Sequence, residues 1–337
     1  MFKNKRILFI SVKLFSIESN IEKKLQSMGA TVDYFDERPS NSIFVKGIIR
    51  LKREFYNRKI KSYYNGILQK IKNYNYDYLF VIKGEVIPSF FLEKFCKLNP
   101  NTKSIYYTYD SVNNNKNSQK ILNYFNYKFT FDSKDATDYE LNFQPLFYFD
   151  SLKNLTSSKN PIYDLLFIGT AHSDRYNIAN KVENYFKSLN LNTFTFFYVP
   201  SRLVYFFKFF FDPLFKSFDY NKLKFKSLSE NDVISLYKKS KIILDINHPL
   251  QKGLTMRTIE SIGAKKKLIT TNSEVKKYNF YNKNNICVIE RNNIYVGKDF
   301  LNTPYKNISD KINNEFSLDN WLKRIFTGNV NKNWIKK

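Results

Sequence analysis

A chain of 337 residues that is 43% hydrophobic and 18% aromatic holds enough apolar material for two domain cores, which excludes a disordered chain. Its 55 lysines and arginines against 30 aspartates and glutamates leave a net charge of +25, a surface that attracts nucleoside diphosphates, nucleic acid or anionic lipid. Two cysteines without a spacing pattern exclude a disulfide framework and a cysteine-based zinc site, and no run reaches the roughly 18 uncharged apolar residues of a membrane span. The chain is also rich in Lys, Asn, Ile, Phe and Tyr, the residues of AT-rich codons, which offers a second source for the charge.

The amino terminus places basic residues before an apolar run and so imitates a secretory signal. That run is only about six residues long and lacks a small-residue cleavage site, so residues 6–12 read as a first strand. Residues 17–28 follow as a helix closed by Gly29, then residues 31–35 as a strand. This β-α-β opening of a doubly wound domain has no GxGxxG turn, so no dinucleotide cofactor is expected. Residues 42–71 are basic and aromatic, with helical spacing in Ile48, Leu51 and Phe55 and again in Ile67, Leu68 and Ile71. Residues 78–82 form the next strand, ending at Lys83-Gly84-Glu85, and Pro88 opens a helix through Leu98. Residues 104–108 and 127–131 are further strands, the first ending at Tyr109-Asp110-Ser111. Glu85 and Asp110 thus follow strands on one edge, where a carboxylate serves a turn or cap and where it also suits a general base.

Residues 144–161 hold Ser, Asn, Lys and two prolines and read as a linker. A strand at 164–169 ends in Gly169, a loop carries Thr170, His172 and Arg175, and a helix runs over about 176–189. The chain's two histidines, His172 and His248, both fall in loops after strands of this half, and a doubly wound sheet brings such loops to one crevice. A neutral imidazole or the Arg175 guanidinium there would offset the charge of a leaving diphosphate. Residues 194–199 read as a core strand; for the aromatic stretch 203–218, contact with a lipid headgroup boundary and internal packing both fit. Ser229 and Asp232 cap a helix through Lys239. Residues 242–246 form a buried strand, Thr255 caps a helix to about Ala264 with Met256, Ile259 and Gly263 inward, and Lys265 to Lys267 suit the helix end. Strands at 268–270 and 286–289 and a helical stretch at 309–326, with Ser309 as cap and Trp321 and Ile325 inward, complete the chain. In the βαβ unit around residue 250, Arg257 and Glu260 lie in the first helical turns, near the crevice where ligands of such sheets collect. Their spacing also fits a surface ion pair.

The run Gly253-Leu254-Thr255-Met256-Arg257-Thr258-Ile259-Glu260-Ser261-Ile262-Gly263-Ala264, followed by Leu268-Ile269-Thr270-Thr271-Asn272, resembles the nucleotide-sugar site of GT-B glycosyltransferases, in particular the CgeB-like and capsule or lipopolysaccharide transferases of bacteria. The resemblance lies mainly over residues 160–330. It implies an α/β fold of two Rossmann-like doubly wound domains facing a central cleft. The acceptor-side domain would take residues 1–150 and the nucleotide-sugar-binding domain 151–310, with the helical end, 311–337, crossing back to the first domain. It implies that Glu260 holds the donor ribose. Arg175, Arg257 and the helix start at Gly253, Leu254 and Thr255 would hold the diphosphate. Gly169, Thr170, His172 and His248 would form loops over the diphosphate and sugar. Many retaining relatives carry a second glutamate eight positions earlier, where this chain has Lys252. Residues 107–111 resemble a recurring feature of the CgeB-like group, which points to Asp110 as the base for an inverting transfer.

The function so implied is transfer of a sugar from a nucleotide-sugar donor to a cell-surface glycan, lipid-linked, of capsule, lipopolysaccharide or O-antigen. It would act in the cytoplasm or on the inner face of a bacterial plasma membrane with an anionic surface as partner, and without a metal cofactor. Two other classes fit parts of the sequence. A nucleotide-sugar epimerase on the same plan needs no acceptor. A non-enzymatic nucleic-acid binder would use the charge and aromatics, but the cations are spread along the chain and no RNA-binding motif is present, so nucleic acid is not expected as a partner.

Overall fold

The computed structural model describes residues 1–336 except 43–44, 48, 50–52, 154, 156–157, 159 and 330–333. The chain divides into two compact units: Met1–Pro145 with the helix Leu318–Thr327, and Leu146–Ser317 with the final residues. Each is built on a six-stranded sheet, and every strand pairing in both sheets is parallel. Parallel strands covered on both faces need near-continuous apolar sequence, which is why Ile7, Leu8, Phe9 and Ile10, or Leu79, Phe80 and Val81, run together without alternation.

The first unit runs β1 Arg6–Ser11, α1 Ile17–Ser27, β2 Thr31–Asp36, α2 Asn57–Ile71, β3 Tyr78–Ile82, α3 Ser89–Leu98, β4 Lys103–Thr108, α4 Lys116–Ile121, β5 Tyr127–Thr130, α5 Ser133–Asp138 and β6 Asn142–Phe143. Its sheet order is β2-β1-β3-β4-β5-β6. One face packs on α2 and α3 through Leu8, Val81, Tyr64, Ile67 and Phe91. On the other, the helix Leu318–Thr327 sets Trp321 edge-on to Tyr107 at 4.7 Å and Phe326 edge-on to Phe80 at 5.2 Å.

The second unit runs α6 Asp150–Lys153, β7 Tyr163–Thr170, α7 Arg175–Ser188, β8 Thr193–Tyr198, α8 Arg202–Phe211, β9 Leu223–Lys224, α9 Glu230–Lys238, β10 Ser240–Asp245, α10 Met256–Gly263, β11 Lys267–Thr270, β12 Ile286–Val288, α11 Lys298–Asn302 and α12 Asp310–Asn314. The order β12-β11-β10-β7-β8-β9 places the unit's first strand, β7, at the centre beside its fourth, β10, so the winding reverses direction between them.

Several sequence expectations need correction. Ile48 and Leu51 lie outside the described residues, and Phe55 is exposed rather than on a buried face. The inward face of α10 is Ile259, Ile262 and Gly263, with Met256 only half-buried. Lys266 and Lys267 do not simply answer the helix dipole. Both are buried, β11 begins at Lys267, and their ammonium groups donate to carbonyls of Ser240 (2.6 Å) and of Phe300 and Thr303. The helical stretch at 309–326 is two helices, because Phe316 is buried and its carbonyl accepts the Tyr148 amide at 2.9 Å, which draws the chain out of helical pairing. Within the expected linker, Leu146, Phe147, Tyr148 and Leu152 are buried. Gly263 admits the Tyr148 ring, since a Cβ there would lie 2.4 Å from it.

Candidate functional site

In an open α/β sheet the crevice beyond the carboxyl ends of the strands opens where the winding reverses. In the second unit that point lies between β7 and β10. The apolar run of β10 ends in Asp245, a carboxylate with no exposed surface. One of its oxygens accepts the hydroxyls of Thr255 (2.8 Å) and Thr258 (2.7 Å), which ties the start of α10 to the strand end. Thr255 is also the helix cap, its oxygen accepting the Thr258 amide at 3.3 Å. The other Asp245 oxygen faces the Arg257 guanidinium at 3.6 Å, which stands 5.9 Å over the Phe167 ring. Arg257 is therefore paired with the strand end and not, as its spacing alone allows, with Glu260.

Glu260 lies one turn further on. Its carboxylate accepts the hydroxyl of the buried Tyr237 at 3.2 Å. Burial raises its pKa, while Arg257 and the Tyr237 hydrogen bond act the other way. Gly253 and Leu254, buried just before the helix, are held by the Asn272 side chain, whose amide donates to the Lys252 and Gly253 carbonyls at 3.1 and 3.2 Å.

The loop after β7 supplies the other wall. β7 ends at Gly169 and Thr170, and the Phe167 ring occupies the space a Cβ on Gly169 would need, 2.7 Å away. Arg175 Nε donates to the Ile246 carbonyl at 2.8 Å, which links the start of α7 to the end of β10. Burial and the nearby Arg257 push the Arg175 guanidinium down to about 10. Burial, with Arg175 and Lys208 beside it, pushes His172 down to about 3, so its imidazole is neutral at neutral pH. The His172 and His248 rings stand 6.2 Å apart. His172 contacts Ser173 Oγ at 3.1 Å, and the exposed His248 accepts the Leu250 amide through Nδ1 at 3.3 Å. The two loops thus reach one place.

Sequence reasoning passed over several members of this cluster. Arg291, beyond β12, grips Asp174 with both carboxylate contacts (2.8 and 2.6 Å) and donates to the Asn247 carbonyl and side chain at 2.6 and 2.9 Å. Asn247 in turn accepts the Thr271 hydroxyl at 2.7 Å. Asp245 had a signal, a lone carboxylate closing an apolar strand; Arg291 had none, being brought in by the fold. Three guanidiniums and the start of α10 converge, while Asp245 already faces Arg257 and Asp174 already faces Arg291. The arrangement suits a multiply charged anion such as a diphosphate.

The first unit carries its own cluster at the carboxyl ends of β2, β3 and β4. Arg38 pairs with Glu85, Lys83 Nζ lies 3.6 Å from Glu85 and 3.7 Å from Asp110, and Asp110 accepts the Ser111 amide at 2.9 Å and the Asn114 side chain at 3.3 Å. Asp110 thus performs turn duty while keeping one oxygen toward Lys83. Glu37, also unremarked in the sequence, is wholly buried. One of its oxygens accepts the amides of Val86 and Ile87. Burial raises its pKa to about 7 in spite of those two bonds. The chain passes over it through Lys83 (φ 81°) and Gly84 (φ 65°), where a Cβ on Gly84 would meet Ile121 at 2.7 Å. Among the described residues no three His, Cys, Asp or Glu side chains converge as a metal site.

No protein-family model and no curated protein matches the chain. Solved structures do. A glycosyltransferase from Rickettsia africae is similar over 96% of this chain and 97% of its own, with a TM-score of 0.56 and 18% identity. HepE of Anabaena in complex with UDP-glucose covers 96% of this chain and 98% of its own, with a TM-score of 0.54 at 10% identity. In complex with UDP and glucose it gives a TM-score of 0.52 at 9% identity, over 96% and 99% of the two chains. Two doubly wound parallel sheets in this order, matched along nearly the whole length of glycosyltransferase structures, give the chain the GT-B fold.

Proposed function

We propose that this protein is a glycosyltransferase whose second unit binds a nucleotide-sugar at the crevice between β7 and β10. The observation that carries the reading is the placement of Arg175 and Arg257 side by side at the capped start of α10, both held at the buried carboxyl end of β10. In it, the guanidiniums and the backbone following Gly253, Leu254 and Thr255 receive the diphosphate, and Glu260 receives the ribose hydroxyls. Gly169, Thr170, His172 and His248 border the phosphates and the sugar. Fixed cations aimed at the leaving group act where charge develops, so the reading expects no metal cofactor.

In a transfer with inversion, an acceptor hydroxyl attacks the anomeric carbon as its bond to the diphosphate oxygen breaks. The leaving oxygen takes the electron pair against Arg175 and Arg257, with neutral His172 able to donate a hydrogen bond. The hydroxyl proton passes to a carboxylate of the first unit, for which Asp110 is the candidate. The acceptor we assign is a bacterial cell-surface glycan of capsule, lipopolysaccharide or O-antigen type carried on a lipid. The site of action is the cytoplasm or the inner face of the plasma membrane, and nucleic acid is not a partner. The resemblance of residues 253–272 and the basic surface support that choice.

Incubation with UDP-, GDP- and CMP-sugars and a glycolipid extract, followed by mass analysis, tests the reading. A glycosylated lipid with release of nucleoside phosphate in equal amount is expected. Conversion of the nucleotide-sugar to an epimer without transfer would assign the other enzyme class.

A further inference from the structure

Helix α8 has two faces of different character. Its inner face is anchored: Tyr205 is buried, with its ring 5.7 Å from Phe215 and 5.0 Å from Tyr220, and Lys208 donates to the Ala171 carbonyl at 3.4 Å. Its outer face holds Leu203, Phe206, Phe207, Phe210 and Phe211, which are 69%, 51%, 62%, 69% and 73% exposed. Their spacing of three, four, seven and eight residues from Leu203 puts all five on one stripe, with no charged residue within it. Phe207 and Phe211 already touch, their rings 4.7 Å apart. Soluble surfaces rarely keep so many large apolar side chains together without a partner.

The surroundings decide which partner. Between residues 202 and 226 stand Arg202, Lys208, Lys216, Lys222, Lys224 and Lys226 against Asp212 and Asp219 only. Arg202, Lys216, Lys224 and Lys226 are exposed. A second copy of this chain would bring this cation-rich surround, on a protein of net charge +25, against its like. A single nucleic-acid strand needs cations spaced among the aromatics to follow its phosphates, and the stripe has none. A bilayer with anionic headgroups meets both features at once. The stripe enters the acyl boundary along the length of the helix while the flanking lysines and arginine stay at headgroup level.

We infer that the outer face of α8 is a docking surface for an anionic phospholipid bilayer. Because Lys208 on the same helix touches the loop that bears His172, docking holds the candidate donor loop close to the lipid surface. The inference does not depend on the donor assignment and fails separately from it.

Co-sedimentation of the full chain with vesicles tests it. Wild-type protein sediments with vesicles of phosphatidylcholine containing about one-third phosphatidylglycerol, and less at raised salt. Phosphatidylcholine alone retains little. The triple variant Phe207→Ser, Phe210→Ser, Phe211→Ser binds about tenfold more weakly or worse. It keeps the wild-type circular dichroism and urea midpoint, since none of the three rings is buried. Lys216→Glu with Lys224→Glu weakens binding to the anionic vesicles as well. Any of four results overturns the inference: no sedimentation of wild type with anionic vesicles, undiminished binding by the triple variant, wild-type dimers that the triple variant dissociates while vesicles bind neither, or single-stranded RNA binding lost in the triple variant without any vesicle binding.

Discussion

Asp245 ties the end of β10 to the start of α10, and removing its carboxylate gives a calculable result. The side chain has no exposed surface, accepts two hydroxyls at 2.8 and 2.7 Å, and faces Arg257 at 3.6 Å. Hydrogen bonds to a charged acceptor contribute about 1.5–3 kcal/mol each, and a buried charge stripped of its partner costs about 3–5 kcal/mol. In Asp245→Ala the fully buried Thr258 hydroxyl loses its acceptor and Arg257 its counter-charge, so the second unit should lose about 3–5 kcal/mol. Asp245→Asn keeps the shape and one oxygen to accept both hydroxyls and should lose about 1–2 kcal/mol, since its amide nitrogen then faces Arg257, itself a donor. Because the carboxylate also holds the start of α10 and Arg257, both variants should bind nucleoside diphosphate at least about tenfold more weakly. The chain's two tryptophans fall in different units, Trp321 in the first and Trp334 in the second. Urea unfolding in a Trp321→Phe background, followed by Trp334 fluorescence, therefore reports on the second unit. An Asp245→Ala protein within about 0.5 kcal/mol of its parent would refute the reasoning.

Other outcomes follow from the same structure. Glu37 has a folded-state pKa raised from 4.5 to about 7. The folded first unit therefore holds the proton more tightly, and that stabilisation is complete below pH 4.5 and is lost as pH rises through about 7. Trp321 fluorescence in a Trp334→Phe background should show a loss of about 3 kcal/mol across that window, and Glu37→Gln should remove this part of the pH dependence. Gly263→Ala drives a methyl group into the Tyr148 ring, 2.4 Å from the nearest carbon, and should cost about 1–3 kcal/mol by urea unfolding. Tyr148→Leu in the same chain should restore part of that loss by making room. Activity should be insensitive to a chelator if fixed cations alone meet the diphosphate; loss of activity in chelator that is regained with added divalent ion would contradict that.

Local chemistry made much of the fold legible. Uninterrupted apolar runs marked β1, β3, β7 and β10 because strands buried on both faces need them. Ser229 and Asp232 form the reciprocal cap their spacing suggests, and Thr255 caps α10. For the site, the sequence led to the loops after β7 and β10, and the structure brings His172, Arg175, His248 and Arg257 together there. What stayed hidden depends on neighbours far along the chain. Arg291 enters by reaching Asp174 and Asn247, 117 and 44 residues away. Lys266 and Lys267 look like solvated cations until carbonyls of β10 and α11 are seen to receive them. Glu37 follows a strand like many turn residues, and only the amides of Val86 and Ile87 explain its burial. The aromatic stretch at 203–218 could not be divided by pattern alone, because Phe and Tyr serve both faces of α8 and only burial tells them apart.

The central claim is that the crevice between β7 and β10 grips a nucleoside diphosphate, and calorimetric titration tests it most directly. With UDP, ADP, GDP and CDP in turn, the account predicts saturable one-to-one binding of at least one of them to the wild-type chain. That binding should fall by about tenfold or more in both Arg175→Met and Glu260→Ala, while Lys5→Met, just before β1 of the first unit, leaves it unchanged. Heat from none of the four, or affinities that both site variants leave intact, would contradict it.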